Sequence, residues 1–303
     1  MPLSLNVKLG PLELATPLLT ASGCAGYGKE LDQYQDLSCF GAIVGKSISR
    51  EPRLGNPYPR TAEVAAGMLN AIGLQNEGFD SFVKSTLPKM RSFGTKAIVN
   101  VVGHDFDEYV WLCRHFDAEQ GIAALELNLS CPNVKGGMKF ATDAGECERL
   151  VRACRDATKL PLIAKLSPNV TSISEIARAA ERGGADILSA VNTFVGMSVD
   201  WRRREPRLAN VTGGMSGPAI KPLALRCVHE VARAARLPVI AIGGISSADD
   251  LLEFMVVGAG ACQVGTYLFV EPDCGAAIIA DLKKKLIEAG VQSPSELVGT
   301  LKV

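Results

Sequence analysis

The 303-residue sequence has only three histidines, His104, His115 and His229, and no two of its nine cysteines stand in C-x-x-C spacing. An odd cysteine count without paired spacing argues against a disulfide framework, a zinc site or a self-contained iron–sulfur cluster. None of the histidines falls at the end of an apolar run, so a histidine-dependent triad is not expected and no metal is assigned. Excess charge is also lacking: 32 basic residues balance 32 acidic ones, against bulk electrostatic binding of nucleic acid. The densest basic run, Arg202, Arg203, Arg204 and Arg207, is interrupted by Glu205 and reads as a solvated loop or partner contact. No apolar run reaches the ~20 residues of a membrane helix. The longest uncharged stretch, 254–270, has 17 residues and includes three glycines, Gln263 and Thr266. The opening MPLSLNVKLG has neither a basic nor a long apolar segment, so no signal peptide is expected, and reduced thiols fit the cytoplasm.

What is present is a repeating unit. Eight short apolar runs, at 17–23, 41–47, 96–103, 123–130, 161–167, 185–192, 238–244 and 261–268, end in small or polar residues. They are continuously apolar, as parallel strands buried on both faces should be. Most gaps between them read as helices. Cys147, Leu150, Val151 and Cys154 repeat at i, i+3, i+4, i+7, one helical face. Ser172 with Glu175, and Ser246 with Asp249, have capping-box spacing. Gly183 and Gly184 stop a helix before the sixth run. Eight alternations in one chain predict an α/β fold, a (β/α)8 TIM barrel with long loops at its C-terminal rim, forming one domain over 1–303. A doubly wound sheet is the alternative. The gaps 48–75 and 193–217 carry no helical period and read as structureless lids or binding loops.

Barrel active sites form at the C-terminal strand ends. Those ends carry Ser22, Lys46, Ser47, Asn100, Asn128, Cys131, Lys165, Asn192, Thr193, Gly243, Gly244, Gly265 and Thr266. The glycines after the last two strands let backbone N–H groups approach a phosphate, belonging either to a substrate or to a flavin mononucleotide. Lysines at the ends of apolar strands need anionic partners. Lys165 can serve as a Schiff-base nucleophile or hold charge beside a reduced flavin. Cys131, in NLSCPNVKGG, is placed as a nucleophile or proton acceptor, and Gly136 and Gly137 make its loop a candidate lid. Asn70, Asn100, Asn128 and Asn192 offer the paired donors and acceptors that a planar pyrimidine or isoalloxazine edge requires. Cys24, just past Ser22, is placed to line the same pocket.

The stretches ASGCAGYG, LNAIGLQNEG, ELNLSCPNVKGG, VNTFVGM, GGMSGPAIKPLALR, AIGGI and VGT together resemble the class 1 dihydroorotate dehydrogenases, type 1B most of all, from about residue 4 to about 290. The serine base of the membrane-associated class is absent, since Cys131 stands there. Glu77 replaces a proline of the family pattern, and Cys24 occupies a permissive position. The resemblance implies FMN-dependent oxidation of dihydroorotate to orotate in pyrimidine biosynthesis, with Cys131 as base. It implies FMN contacts from Ser22, Lys46, Ser47, Asn100, Asn128, Lys165, Val191, Gly217, Gly243, Gly244, Gly265 and Thr266. It implies substrate contacts from Lys46, Asn70, Ala71, Ile72, Gly73, Leu74, Asn128, Asn192 and Thr193. It further implies a homodimer core in a heterotetramer, with a separate FAD and 2Fe-2S subunit passing electrons to NAD. Rival readings are a fumarate-linked type 1A enzyme, a related pyrimidine-reducing flavoenzyme, a flavin-free aldolase or isomerase using Lys165, and a non-catalytic scaffold.

Overall fold

The computed structural model describes residues 3–129 and 138–302. Eight parallel strands close into a barrel: Leu18–Thr20, Ala42–Val44, Lys96–Val101, Ile122–Asn128, Leu162–Leu166, Ile187–Ala190, Val239–Ile242 and Ala259–Val264. Each pairs with its neighbour in sequence, and the eighth pairs with the first. All eight coincide with the apolar runs of the sequence. Closure satisfies both edges of every strand, so each strand is covered on two faces and can be apolar throughout.

Strand geometry turns alternate side chains inward. Leu19, Val44, Ile98, Ala124, Ile163, Ile187, Ile240 and Ala261 meet in one buried cluster. A two-stranded antiparallel hairpin, Val7–Leu9 with Leu12–Leu14, adds Val7, Leu9, Leu12 and Leu14 to that cluster and plugs the floor. Two residues further along the same faces stand Asn100, Glu126, Lys165, Ser189 and Gln263, all at most 5% exposed. The barrel interior therefore changes from apolar at the floor to polar beneath the rim.

Helices follow most strands. Cys147, Leu150, Val151 and Cys154 are the buried face of Ala144–Ala157, capped by Asp143, whose side chain accepts from Glu146 N. Ser172 caps Ile173–Gly183 by accepting from Glu175 N, and Gly184 ends it at φ +94°. The next cap lies one residue beyond its expected place. Ser247 accepts from Asp250 N, because Ser246 spends both its N–H and its hydroxyl on the Asp250 carboxylate, at 2.8 and 2.9 Å. Between the first two strands the connection forms two 3₁₀ turns, Leu31–Gln33 and Leu37–Cys39. Gln35 ties this segment to the last helix, donating to Pro272 O and accepting from Ala276 N.

The two long gaps are not structureless. Thr61–Val64, Gly67–Asn70, Phe194–Met197 and Thr212–Ser216 form a four-stranded antiparallel sheet, and Val199–Asp200 pairs with Glu205–Pro206. The correction has a physical reason. Gly67, Gly196, Gly213 and Gly214 dilute strand propensity, and the central pairing, Gly67–Asn70 with Thr212–Ser216, spans some 140 residues and leaves no local signal. The basic run Arg202, Arg203 and Arg204 is exposed beyond this sheet.

Ile163 fills the barrel centre with no exposed surface. Ile163→Ala is expected to cost about 2–5 kcal/mol, the range for truncating a buried isoleucine without collapse of the cavity. The check is the urea midpoint at unchanged slope, and a loss below about 1 kcal/mol would remove Ile163 from the interior layer.

Candidate active site

The strands deliver their last inward residues to a cavity of about 670 Å³ at the C-terminal rim. This volume lies within the roughly 300–1,000 Å³ of small-molecule and cofactor pockets. Ser22, Lys46, Ser47, Asn128, Lys165, Val191, Gly217, Gly243, Gly244, Gly265 and Thr266 line it. So do Asn70 through Leu74, Asn192 and Thr193, brought in by the rim sheet and the segments beside it. Cys24 is also on the wall, and burial, partly opposed by Lys165, pushes its thiol up to about 11. Asn100 is the exception. It has no exposed surface and lies beneath the wall, accepting from Ser47 Oγ at 2.5 Å. Cys131 and the lid glycines Gly136 and Gly137 lie outside the described residues.

Two asparagines, Asn128 and Asn192, carry the polar floor, and Asn70 stands in the rim sheet. Asn128 Nδ2 donates to Ser47 Oγ at 3.3 Å, and Asn192 Nδ2 donates to Asn128 Oδ1 at 3.1 Å. Asn70 Nδ2 donates to Gly214 O at 3.1 Å, so its side chain ties the two central strands of the rim sheet. The following turn holds Gly73 at φ +74° and Leu74 at φ +57°. A left-handed leucine persists only when its surroundings impose it. Here Asn76 Nδ2 donates to Leu74 O at 2.8 Å while Asn76 Oδ1 accepts from Gly78 N at 2.9 Å. Glu77, the departure from the family pattern, is integrated locally: it accepts from Ser81 Oγ and Thr86 Oγ1.

Among the described residues, the wall carries Lys46, Arg60 and Lys165 and no carboxylate. Lys165 Nζ stands 3.8 Å from Glu126 Oε2, behind the wall. Burial, and then the neighbouring Arg60 guanidinium, push the Lys46 ammonium below the ordinary lysine value. Arg60 is 7% exposed. It is held by Gln75 Oε1 at 3.0 Å and by the Tyr58 hydroxyl, and it stacks on the Tyr58 ring 4.1 Å from its centroid. Two cations at close quarters with no wall carboxylate make this end of the cavity a receptor for an anion. Sequence reading missed Arg60, which sits in a proline-rich segment without periodicity. It also missed Glu126, although the inward alternation Ala124, Glu126, Asn128 was there to be read.

Another part of the lining is built from glycines. Gly243 and Gly244 have φ of +136° and +75°. A Cβ on Gly244 would stand 2.8 Å from Lys221 N, so any side chain there would strike the start of helix Lys221–Ala234. A Cβ on Gly265 would stand 3.2 Å from both Ala21 Cβ and Cys24 Sγ. Bare backbone on these turns suits a phosphate.

The fold and site together define a TIM barrel whose rim cavity is lined, among the described residues, by glycine turns, side-chain amides and three cations. A profile of the dihydroorotate dehydrogenase family matches residues 4–286, and the chain belongs to that family. It is 54% identical over 299 residues, 98% of each chain, to the dihydroorotate dehydrogenase B (NAD(+)) catalytic subunit of Trichlorobacter lovleyi. The proteins of the same name from Pelobacter propionicus and Geobacter sulfurreducens are 50% and 48% identical, each over at least 98% of both chains.

Proposed function

We propose that this chain is a dihydroorotate dehydrogenase catalytic subunit that oxidises dihydroorotate to orotate in pyrimidine biosynthesis, with FMN as its resident cofactor. The observation that carries the reading is the lining of the cavity itself. The residues fit FMN: Gly217, Gly243, Gly244 and Gly265 offer bare backbone and Thr266 a hydroxyl to its phosphate, and Lys165 lines the same cavity. When bound, FMN supplies the two-electron acceptor for the substrate's hydride. Lys46 and Arg60 hold the carboxylate of the pyrimidine, and Asn70, Asn128 and Asn192 hold its amide edges. Fixing the ring in this way supplies orientation, which accounts for much of the rate in such reactions. The Cys131 thiolate takes the proton from the ring carbon beside the carbonyl. The charged Lys165 ammonium stabilises negative charge developing at the cofactor site.

A flavin-free barrel using Lys165 as a Schiff-base nucleophile is told apart by colour. Such a barrel would be colourless as purified, whereas a chain that retains FMN is yellow. The electron route is inferred from the relatives named as NAD(+)-type catalytic subunits. The words 'catalytic subunit' in those names support a separate electron-transfer subunit; that this partner carries FAD and a 2Fe-2S cluster, that the chain forms a homodimer core within a heterotetramer and that it is cytoplasmic are carried by the family resemblance of the sequence alone. Among the described residues no helix is long and apolar enough to cross a membrane.

Three outcomes test the proposal. The isolated chain with FMN should reduce a dye with dihydroorotate but not NAD; NADH formation at the dye rate without another polypeptide rejects the partner, and efficient fumarate reduction moves the chain to type 1A. Cys131→Ala should keep FMN and lose roughly a hundred- to ten-thousandfold in turnover, the usual contribution of a general base; a loss of only a few-fold places the base elsewhere. Orotate binding needs Lys46 protonated, and its pKa is lowered by burial and Arg60. Affinity should therefore fall as pH rises through that lowered value. Arg60→Ala should weaken orotate roughly tenfold to a hundredfold, as expected for losing a charged hydrogen-bond donor. It should also move the fall to higher pH, because a repelling cation is gone. Titrations from pH 7 to 10.5 read both effects, and a break that stays put in Arg60→Ala uncouples the two cations.

A further inference from the structure

Glu126 is a charged residue with no exposed surface, placed inside the barrel one layer below the cavity. Four donors surround it. Asn100 Nδ2 lies 2.6 Å from Oε2 and Lys165 Nζ 3.8 Å from the same oxygen. Ser189 Oγ and Gln263 Nε2 each lie 2.9 Å from Oε1. A carboxylate in such surroundings only accepts.

That one-way chemistry propagates. Asn100 must turn its Nδ2 toward Glu126, which leaves its Oδ1 to accept from Ser47 Oγ at 2.5 Å. Ser47, its hydrogen spent, accepts from Asn128 Nδ2 at 3.3 Å. Asn128 Oδ1 then accepts from Asn192 Nδ2 at 3.1 Å, and Asn192 Oδ1 accepts from Thr193 N at 2.8 Å. The chain starts at a group that can only accept and ends at a backbone N–H that can only donate. Every amide between them has one direction. Reversing any of them would set donor against donor or acceptor against acceptor.

We propose that Glu126 is a positioning residue: it anchors the accepting end of the chain, holding Asn100 and Ser47 so that Asn128 and Asn192, whose donating end Thr193 N fixes, keep their place toward the ligand, and it acts as counter-charge to Lys165. The proposal rests on the reading of the cavity as an FMN and pyrimidine site and adds to it the residue that anchors the amides of that site. A purely structural Glu126 would affect stability alone. A positioning Glu126 has two separable outputs, anchoring and charge.

The test compares wild type, Glu126→Gln and Glu126→Asp as FMN-bound protein. It measures the flavin midpoint potential by anaerobic equilibration with a reference dye, the orotate dissociation constant and the thermal midpoint. Gln keeps the shape but loses the charge and can donate as well as accept. It should shift the potential to more positive values, since an anion near the flavin is gone, and weaken orotate at least tenfold. Asp keeps the charge but is one methylene too short to hold Asn100. It should weaken orotate comparably while leaving the potential near that of wild type. Lower thermal midpoints with an unshifted potential and an orotate affinity within twofold of wild type would overturn the proposal and leave Glu126 structural. Should Glu126→Gln not fold, unchanged orotate affinity in Glu126→Asp is sufficient to overturn it. Wild-type protein that cannot be loaded with FMN would instead overturn the reading of the cavity, a result visible before any variant is made.

Discussion

Closure of the parallel sheet is the constraint from which the rest follows. With no free edge, every strand must point alternate residues into one shared interior, and residues at the same height on different strands become neighbours. A Leu, Ile, Val and Ala layer over the hairpin plug supplies the apolar core. Two residues further along, the same inward faces carry Asn100, Glu126, Lys165, Ser189 and Gln263. Residues drawn from strands more than a hundred positions apart thus meet at hydrogen-bond distance; Gln263 and Glu126 are 137 apart in sequence. The site's precision is a property of the closed sheet rather than of its loops.

Electrostatics divides the cations of the cavity into two kinds. At 3.8 Å and an effective dielectric near 20, the Lys165–Glu126 attraction is about 4 kcal/mol, similar to the several kcal/mol that desolvating each buried ion costs. The pair therefore adds little net stability. Its value lies in keeping a positive charge inside the barrel beside the polar floor. Lys46 and Arg60 differ in having no carboxylate on the wall, among the described residues, and they repel each other. The Tyr58 ring and Gln75 hold Arg60 in place against that repulsion. A site that stores repulsion gains more from an anion than a solvent-exposed pair would, because the ligand replaces water with the missing counter-charge.

How much of this was legible in the sequence depended on whether the signal was local. The eight strands were readable because burial on both faces makes each run continuously apolar, and the strand-end residues followed from the geometry of parallel barrels. The helix face of Cys147, Leu150, Val151 and Cys154 was legible through its 3.6-residue period. The cap at Ser247 was misplaced by one residue because two adjacent serines compete for it, and only the Asp250 carboxylate settles which one bends outward. The rim sheet was illegible. Its strands are short, three of the four carry glycine, and the pairing that joins its two halves links Gly67–Asn70 to Thr212–Ser216 across some 140 residues, so a periodicity of two never becomes visible. Arg60 was lost with it.

That rim sheet explains why residues so far apart in sequence act at one site. Asn70 comes from its second strand in chain order, and Thr193 stands immediately before its third. Register places Asn70 opposite both Thr61 and Gly214, so each side of the strand bearing Asn70 is fixed by a neighbour. Asn169, following the fifth barrel strand, grips the third rim strand's entrance from below, donating to Thr193 O and accepting from Val195 N. The loop that follows the fifth barrel strand is thereby tied to the entrance of the third rim strand. The cavity is bounded by two sheets at right chemistry and fixed spacing, one supplying the charge layer and the other the cover. Displacing the rim by the length of one hydrogen bond would break the two contacts that Asn169 makes with Thr193 O and Val195 N.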